Sequence, residues 1–130
     1  MKKDINFEPV KDVTVTIIRK DIDNWEVYLI NRSIDKLDTI LVTSKGYGNQ
    51  NGEIQKTSLL RHSIPFLESG MHALIEPISK EVFHLTNEYW VSYYIGSKIF
   101  DKKFIFVPDT IIEKNLTFIP ELDAQGVLHD

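Results

Sequence analysis

Cysteine is absent from the 130 residues, which excludes disulfide staples, a thiolate nucleophile and a zinc knuckle together. No apolar stretch approaches the roughly 20 residues of a membrane-spanning helix. The start Met1-Lys2-Lys3-Asp4 is positive, but Ile5-Asn6-Phe7-Glu8-Pro9 is not the apolar run a signal peptide needs. A basic excess is also lacking: the formal net charge is -4 and the pI is near 5.5. That long-range field has the wrong sign for a polyanion, so no DNA partner is expected and RNA is disfavoured. Gly-x-Gly-x-x-Gly, Gly-x-x-x-x-Gly-Lys-Ser/Thr, Gly-x-Ser-x-Gly and His-Glu-x-x-His do not occur. The expectation is a cytoplasmic protein that is not an enzyme, with no cofactor, no metal and no membrane partner.

What the chain has is aromatic and β-branched residues in short runs. Hydrophobic residues make up 42% of it, enough for one domain to remove roughly two-thirds of its unfolded surface from water. The clearest pattern spans Asn87 to Val107, where two such runs flank Gly96-Ser97. Gly96 accepts the positive φ of a type II′ hairpin turn. That turn sets a register in which Tyr93 faces Phe100, Val91 faces Lys102 and Tyr89 faces Phe104 on the core side. On the other side Tyr94 faces Ile99, Ser92 faces Asp101 and Trp90 faces Lys103.

Ahead of the hairpin, alternating Val13, Val15 and Ile17 predict a strand ending near Lys20, and Asp21 to Asn24 a turn. Trp25 to Arg32 is apolar on both faces and predicts a central strand. A third strand is expected over Leu37 to Lys45. The glycine- and asparagine-rich segment Gly46 to Gly52 reads as an exposed loop. Ile54 to Ile64 reads as a strand with Pro65 at its end or on an edge, and Met71 to Glu76 as another, stopped by Pro77. Thr110-Ile-Ile-Glu113 has capping-box spacing. These signals predict an all-β protein: an immunoglobulin-like antiparallel β-sandwich of about seven strands, with a small β-barrel as the alternative. Residues 1–130 form a single domain with a lead-in over 1–11 and an extended C-terminal tail over 109–130.

Candidate chemistry is sparse. His62, His72, His84 and His129 are far apart in sequence, and satisfied or solvated imidazoles are the plainer reading than a two-histidine metal site. Ser58 and His62 share a strand face but sit roughly 13 Å apart along it, too far for proton transfer. Asp21/Asp23 and Asp35/Asp38 belong to turns. Two groups carry a functional expectation. Trp90, Tyr94 and Lys103 lie on the hairpin side away from the core, where the tail, a neighbouring strand or a second chain must cover them. Tyr47, Arg61 and His62, with Lys45 and Lys56, flank the Gly46–Gly52 segment and suit an anion or an acidic segment.

Met1-Lys-Lys-Asp-Ile5, Val42-Thr-Ser-Lys-Gly-Tyr47, Lys56-Thr-Ser-Leu-Leu-Arg-His62, Asn87-Glu-Tyr-Trp-Val91, Asp101-Lys-Lys-Phe-Ile-Phe106 and Gly126-Val-Leu128 resemble a small uncharacterised bacterial family over nearly the whole chain. Some members of that family carry the label phenylalanyl-tRNA synthetase subunit alpha. A class II synthetase core needs two motif arginines on a much longer chain, and Arg19, Arg32 and Arg61 are in no such setting. The resemblance therefore implies no activity. The expected function is a non-enzymatic protein-interaction module, binding itself or another protein through the hairpin. Small-molecule or anion binding at Gly46–Gly52 is the alternative, and RNA or tRNA association the third.

Overall fold

Val13, Val15 and Ile17 are spaced two apart, and in the computed structural model, which describes residues 9–129, they point between two antiparallel sheets. The strands are β1 (Val13–Arg19), β2 (Trp25–Asn31), β3 (Leu37–Gln50), β4 (Glu53–Lys56), β5 (Leu60–Leu67), β6 (His72–Ile78), β7 (Thr86–Ile95), β8 (Lys98–Phe106), β9 (Thr117–Ile119) and β10 (Ala124–His129). One sheet has the order β6-β2-β1-β10-β9. The other runs β4-β3-β7-β8, with β5 also paired to β3. The arrangement is a β-sandwich rather than a closed barrel. Of the expected lead-in over 1–11, residues 1–8 lie outside the described residues.

The β7–β8 hairpin takes the expected register at all six pairs, from Tyr89↔Phe104 to Tyr94↔Ile99. Gly96 has φ 60, while Ser97 stays at negative φ, as a II′ turn requires. Tyr89, Val91, Tyr93 and Phe104 are buried against Val15, Ile17, Val27 and Leu29 of the opposite sheet.

Three segments depart from expectation. Gly46 to Gln50 is not a loop: β3 continues through it, with Gly46 and Tyr47 paired to β7 and Tyr47 to Gln50 paired to β4. The turn is at Asn51-Gly52, with φ 52 and 81, the two positive values of a type I′ turn. Ile54 to Ile64 is two strands, because Thr57 to Leu59 leaves the ladder. There the Thr57 hydroxyl accepts the Gly46 amide at 2.7 Å and the Thr57 amide donates to the Gly46 carbonyl at 2.9 Å. The C-terminal tail is not a strap across the body: β9 and β10 complete the first sheet beside β1. With that split and those two strands, the described residues hold ten strands instead of seven. The capping box does not form either, since the Thr110 hydroxyl donates to the Val107 carbonyl at 2.6 Å. The 3-10 turn that follows, Glu113–Asn115, has no side-chain cap.

The tail also covers the outer face of its sheet. Ile18, Ile30 and Ile119 make a second small cluster with Leu122 and Leu128. The turn Pro120–Leu122 is tied down by Arg32, whose Nε and Nη2 donate to the two Glu121 carboxylate oxygens at 2.7 and 3.0 Å. That guanidinium holds the Glu121 carboxyl below its ordinary value. A depressed folded pKa stabilises above the unfolded value of 4.5 and is lost as pH falls through the folded one. Glu121→Gln should therefore cost about 1 kcal/mol at pH 7, discounted for the partly exposed pair. The gap to wild type in thermal unfolding should shrink as pH is lowered below 4.5. A gap unchanged into acid would show that the loss is not electrostatic.

Candidate functional site

The second sheet leaves its outer face open. Strand alternation and register line up Arg61 of β5, Thr43 of β3, Trp90 of β7 and Lys103 of β8 in one row across four strands. Leu41, Tyr94 and Ile99 extend the face towards the Gly96 turn, and Lys45, Ile105, Tyr47 and Lys56 extend it the other way. Leu41 is 51% exposed, Trp90 43% and Tyr94 40%. Among the described residues neither the tail nor a neighbouring strand covers them, since β9 and β10 belong to the other sheet.

The polar groups of this face hold its aromatics upright. Trp90 Nε1 donates to Asp101 Oδ1 at 2.6 Å, and Lys103 Nζ sits 4.6 Å from the Trp90 ring. This cation–π contact contributes about 0.5–1 kcal/mol at an exposed site. Further along, the Tyr47 hydroxyl donates to Glu88 Oε1 at 3.2 Å, and Lys45 Nζ is 3.8 Å from Glu88 Oε2. Burial, with the charge of Glu88 and the hydrogen bond to it, pushes the Tyr47 hydroxyl pKa up. Arg61 and Lys56 are exposed and make no ion pair among the described residues. The face is thus aromatic with free cations, although the chain as a whole is acidic.

Of the six residues singled out in the sequence, Trp90, Tyr94, Lys103, Tyr47 and Arg61 share this outer face. His62 does not, because it pairs with Val42 and points inward from β5. The Gly46–Gly52 segment, Arg61 and His62 therefore form no common site. The histidines are also dispersed: His72 lies edge-on to Tyr28, His84 is 2.7 Å from Gln55 Oε1, and His129 packs against Phe104 and Phe106. No group of three metal-ligating side chains occurs among the described residues.

Inside the sandwich lies a polar cluster that strand-by-strand reading missed. Glu76 Oε1 accepts the Ser44 hydroxyl at 2.7 Å and is 2.6 Å from His62 Nε2. Both partners meet the same carboxylate oxygen, so Glu76 stands between the hydroxyl and the imidazole in the hydrogen-bond chain. Burial comes first, then the charge of Glu76 and hydrogen bonding to it, in driving the Tyr89 hydroxyl pKa far above its ordinary value. Asn87 completes the group, its amide donating to the carbonyls of Val82 and Leu85 at 2.9 and 3.2 Å. The one sequence signal for this cluster was parity: Ser44 and Asn87 occupy the inward phase of strands whose other inward residues are apolar.

Comparison with protein-family models, curated proteins and solved structures returns no match to this chain.

Proposed function

We propose that the chain is a non-enzymatic binding module whose open sheet face docks an acidic segment of another protein. The observation that carries this reading is the row Arg61–Thr43–Trp90–Lys103, flanked by Tyr94 and Leu41. Exposed aromatics supply rigid contact area, and arginine beside them is the usual composition of an interaction hot spot. Arg61 and Lys56 give the charge complementarity, which sets orientation and encounter rate more than affinity. The neighbour order β1-β2-β6 in one sheet and β3-β7-β8 in the other supports an immunoglobulin-like wiring, a fold that leaves such a face to be used.

The test compares wild type with Trp90→Ala/Tyr94→Ala and with Arg61→Glu in capture from the native lysate. The side chains of the first pair are 43% and 40% exposed, and removing Trp90 also removes its contacts with Asp101 and Lys103, so the double variant should cost about 1–2 kcal/mol of stability. Capture of the wild-type partner should fall at least tenfold, and Arg61→Glu should weaken it more at low salt than at high salt. A strict monomer by light scattering that captures nothing, or variants that keep the same partner, would end the reading. An electrophoretic shift of single-stranded RNA at low salt would instead move the assignment to nucleic acid, since aromatic and basic side chains on a sheet also stack and track bases.

A further inference from the structure

We infer that the cleft at the Thr57–Leu59 break in the β3 edge is a binding site for a small primary ammonium ion with a short apolar stem. Here β4 has ended and β5 has not begun, so the rim between β3 and β6 is open. The cavity behind it, about 220 Å³, is lined by Ser44, Asn87, Tyr89 and Glu76 on its polar side and by Leu60, Ile78 and Val82 on its apolar side.

The ligand class follows from counting donors and acceptors. Ser44 donates its hydroxyl proton to Glu76 Oε1, and the Tyr89 hydroxyl is drawn to the same carboxylate. Both Asn87 amide hydrogens are engaged by backbone carbonyls, which leaves Asn87 Oδ1 as an acceptor beside Gly46. At the rim, Thr57 donates to the Ser58 carbonyl and accepts from Gly46. The buried wall therefore offers acceptors and a carboxylate, with its donors already used. Ser44, Asn87 and Tyr89 are 3%, 4% and 2% exposed, so this lining is built into the protein and is no feature of its solvated surface. Lys45 also lines the cleft, but its Nζ extends to 3.8 Å from Glu88 Oε2 on the opposite face of the sheet. His62 Nε2 meets the same Glu76 Oε1 at 2.6 Å, so side chains of the facing sheet hold the carboxylate in place. A primary ammonium supplies three N–H donors and a positive charge, and Leu60, Ile78 and Val82 accommodate an alkyl stem. An anion meets the Glu76 carboxylate on the buried wall, and the hydroxyls of Ser58 and Ser79 that could donate to it stand at the rim.

The test titrates the full chain at pH 8, above the ordinary range of an imidazole, with n-butylammonium chloride. The controls are tetramethylammonium chloride and n-butanol. The expected result is saturable shifts of the Gly46 backbone and Asn87 side-chain amide resonances with n-butylammonium, at least tenfold weaker with either control. Glu76→Gln should weaken binding at least tenfold. Should that variant fail to fold, Ser58→Trp, placed on the exposed rim, should block binding in a folded protein. Equal response to n-butanol would reduce the cleft to an apolar cavity, and equal response to tetramethylammonium would reduce it to nonspecific charge. Either result, or no saturable shift at these residues, overturns the assignment.

Discussion

Phe104→Ala is expected to cost about 3–5 kcal/mol, the range for removing a fully enclosed aromatic ring. Phe104 has no solvent exposure, lies opposite Tyr89 in the β7–β8 ladder and meets His129 of β10 edge-on at 5.4 Å. It thus packs where the hairpin, the opposite sheet and the end of the chain converge, and alanine leaves a cavity among them. Ile105→Ala, one residue on, should cost less than about 1 kcal/mol, because Ile105 turns to the open outer face. Chemical denaturation of the two variants checks the difference. Similar losses at both positions would mean that β8 is not paired in this register.

Gly126→Ala should cost about 3 kcal/mol, an overpacking penalty at the upper end of its usual range. Gly126 lies opposite Ile18 in the β1–β10 ladder, and a Cβ built on it would stand 2.7 Å from Ile18 Cδ1, 2.8 Å from Thr16 Oγ1 and 3.0 Å from the Ile17 carbonyl oxygen. The isoleucine tip can rotate away. The other two cannot yield without cost, because Thr16 donates to the Val127 carbonyl at 3.0 Å and the carbonyl belongs to the sheet. β10 must then separate from β1, loosening the cover over Ile18, Ile30 and Ile119. Gly70→Ala is the control: its φ of 79 strains alanine by about 1 kcal/mol, yet nothing lies within 4 Å of the added carbon. A midpoint drop near 10 °C for Gly126→Ala against a few degrees for Gly70→Ala is the expected pattern in thermal unfolding. Equal, small drops would place β10 elsewhere.

How far the sequence could be read depended on whether an element is set by its own residues or by its neighbours. The β7–β8 register needed only Gly96 and alternation, so each pair was legible along with the outward placing of Trp90, Tyr94 and Lys103. The first two strands and the Asp21 turn were legible for the same reason: Asp21 Oδ1 accepts the backbone amides of Asp23 and Asn24 locally. Gly46 to Gln50 has poor strand propensity, but β7 pairs with Gly46 and Tyr47 and β4 with Tyr47 to Gln50, and tertiary pairing prevails over composition. The Asn51-Gly52 dipeptide was the local signal for that hairpin, hidden inside a run that looked uniformly loop-like.

Glu76 failed to show for a geometric reason. A bulge in β6 between its pairings with Val27 and Tyr28 lets Ile75 and Glu76 both face inward, whereas strict alternation from Ala73 and Ile75 puts Glu76 outside. A bulge in β3 near Thr39, a β-branched residue at φ 49, is equally silent in the sequence. The pairing of β10 with β1 rests on a missing side chain at Gly126, which announces itself only when the partner strand is known.

Hydroxyl-radical footprinting of the free protein and of its captured complex tests most directly whether the open sheet face is where this protein docks. Trp90, Tyr94 and Leu41 should label readily in the free chain, with Trp25, Tyr89 and Phe104 protected, and the first three should become protected in the complex. Labelling of Trp90 and Tyr94 that is as strong in the complex as in the free protein, or that is already absent in the free monomer, would contradict the assignment.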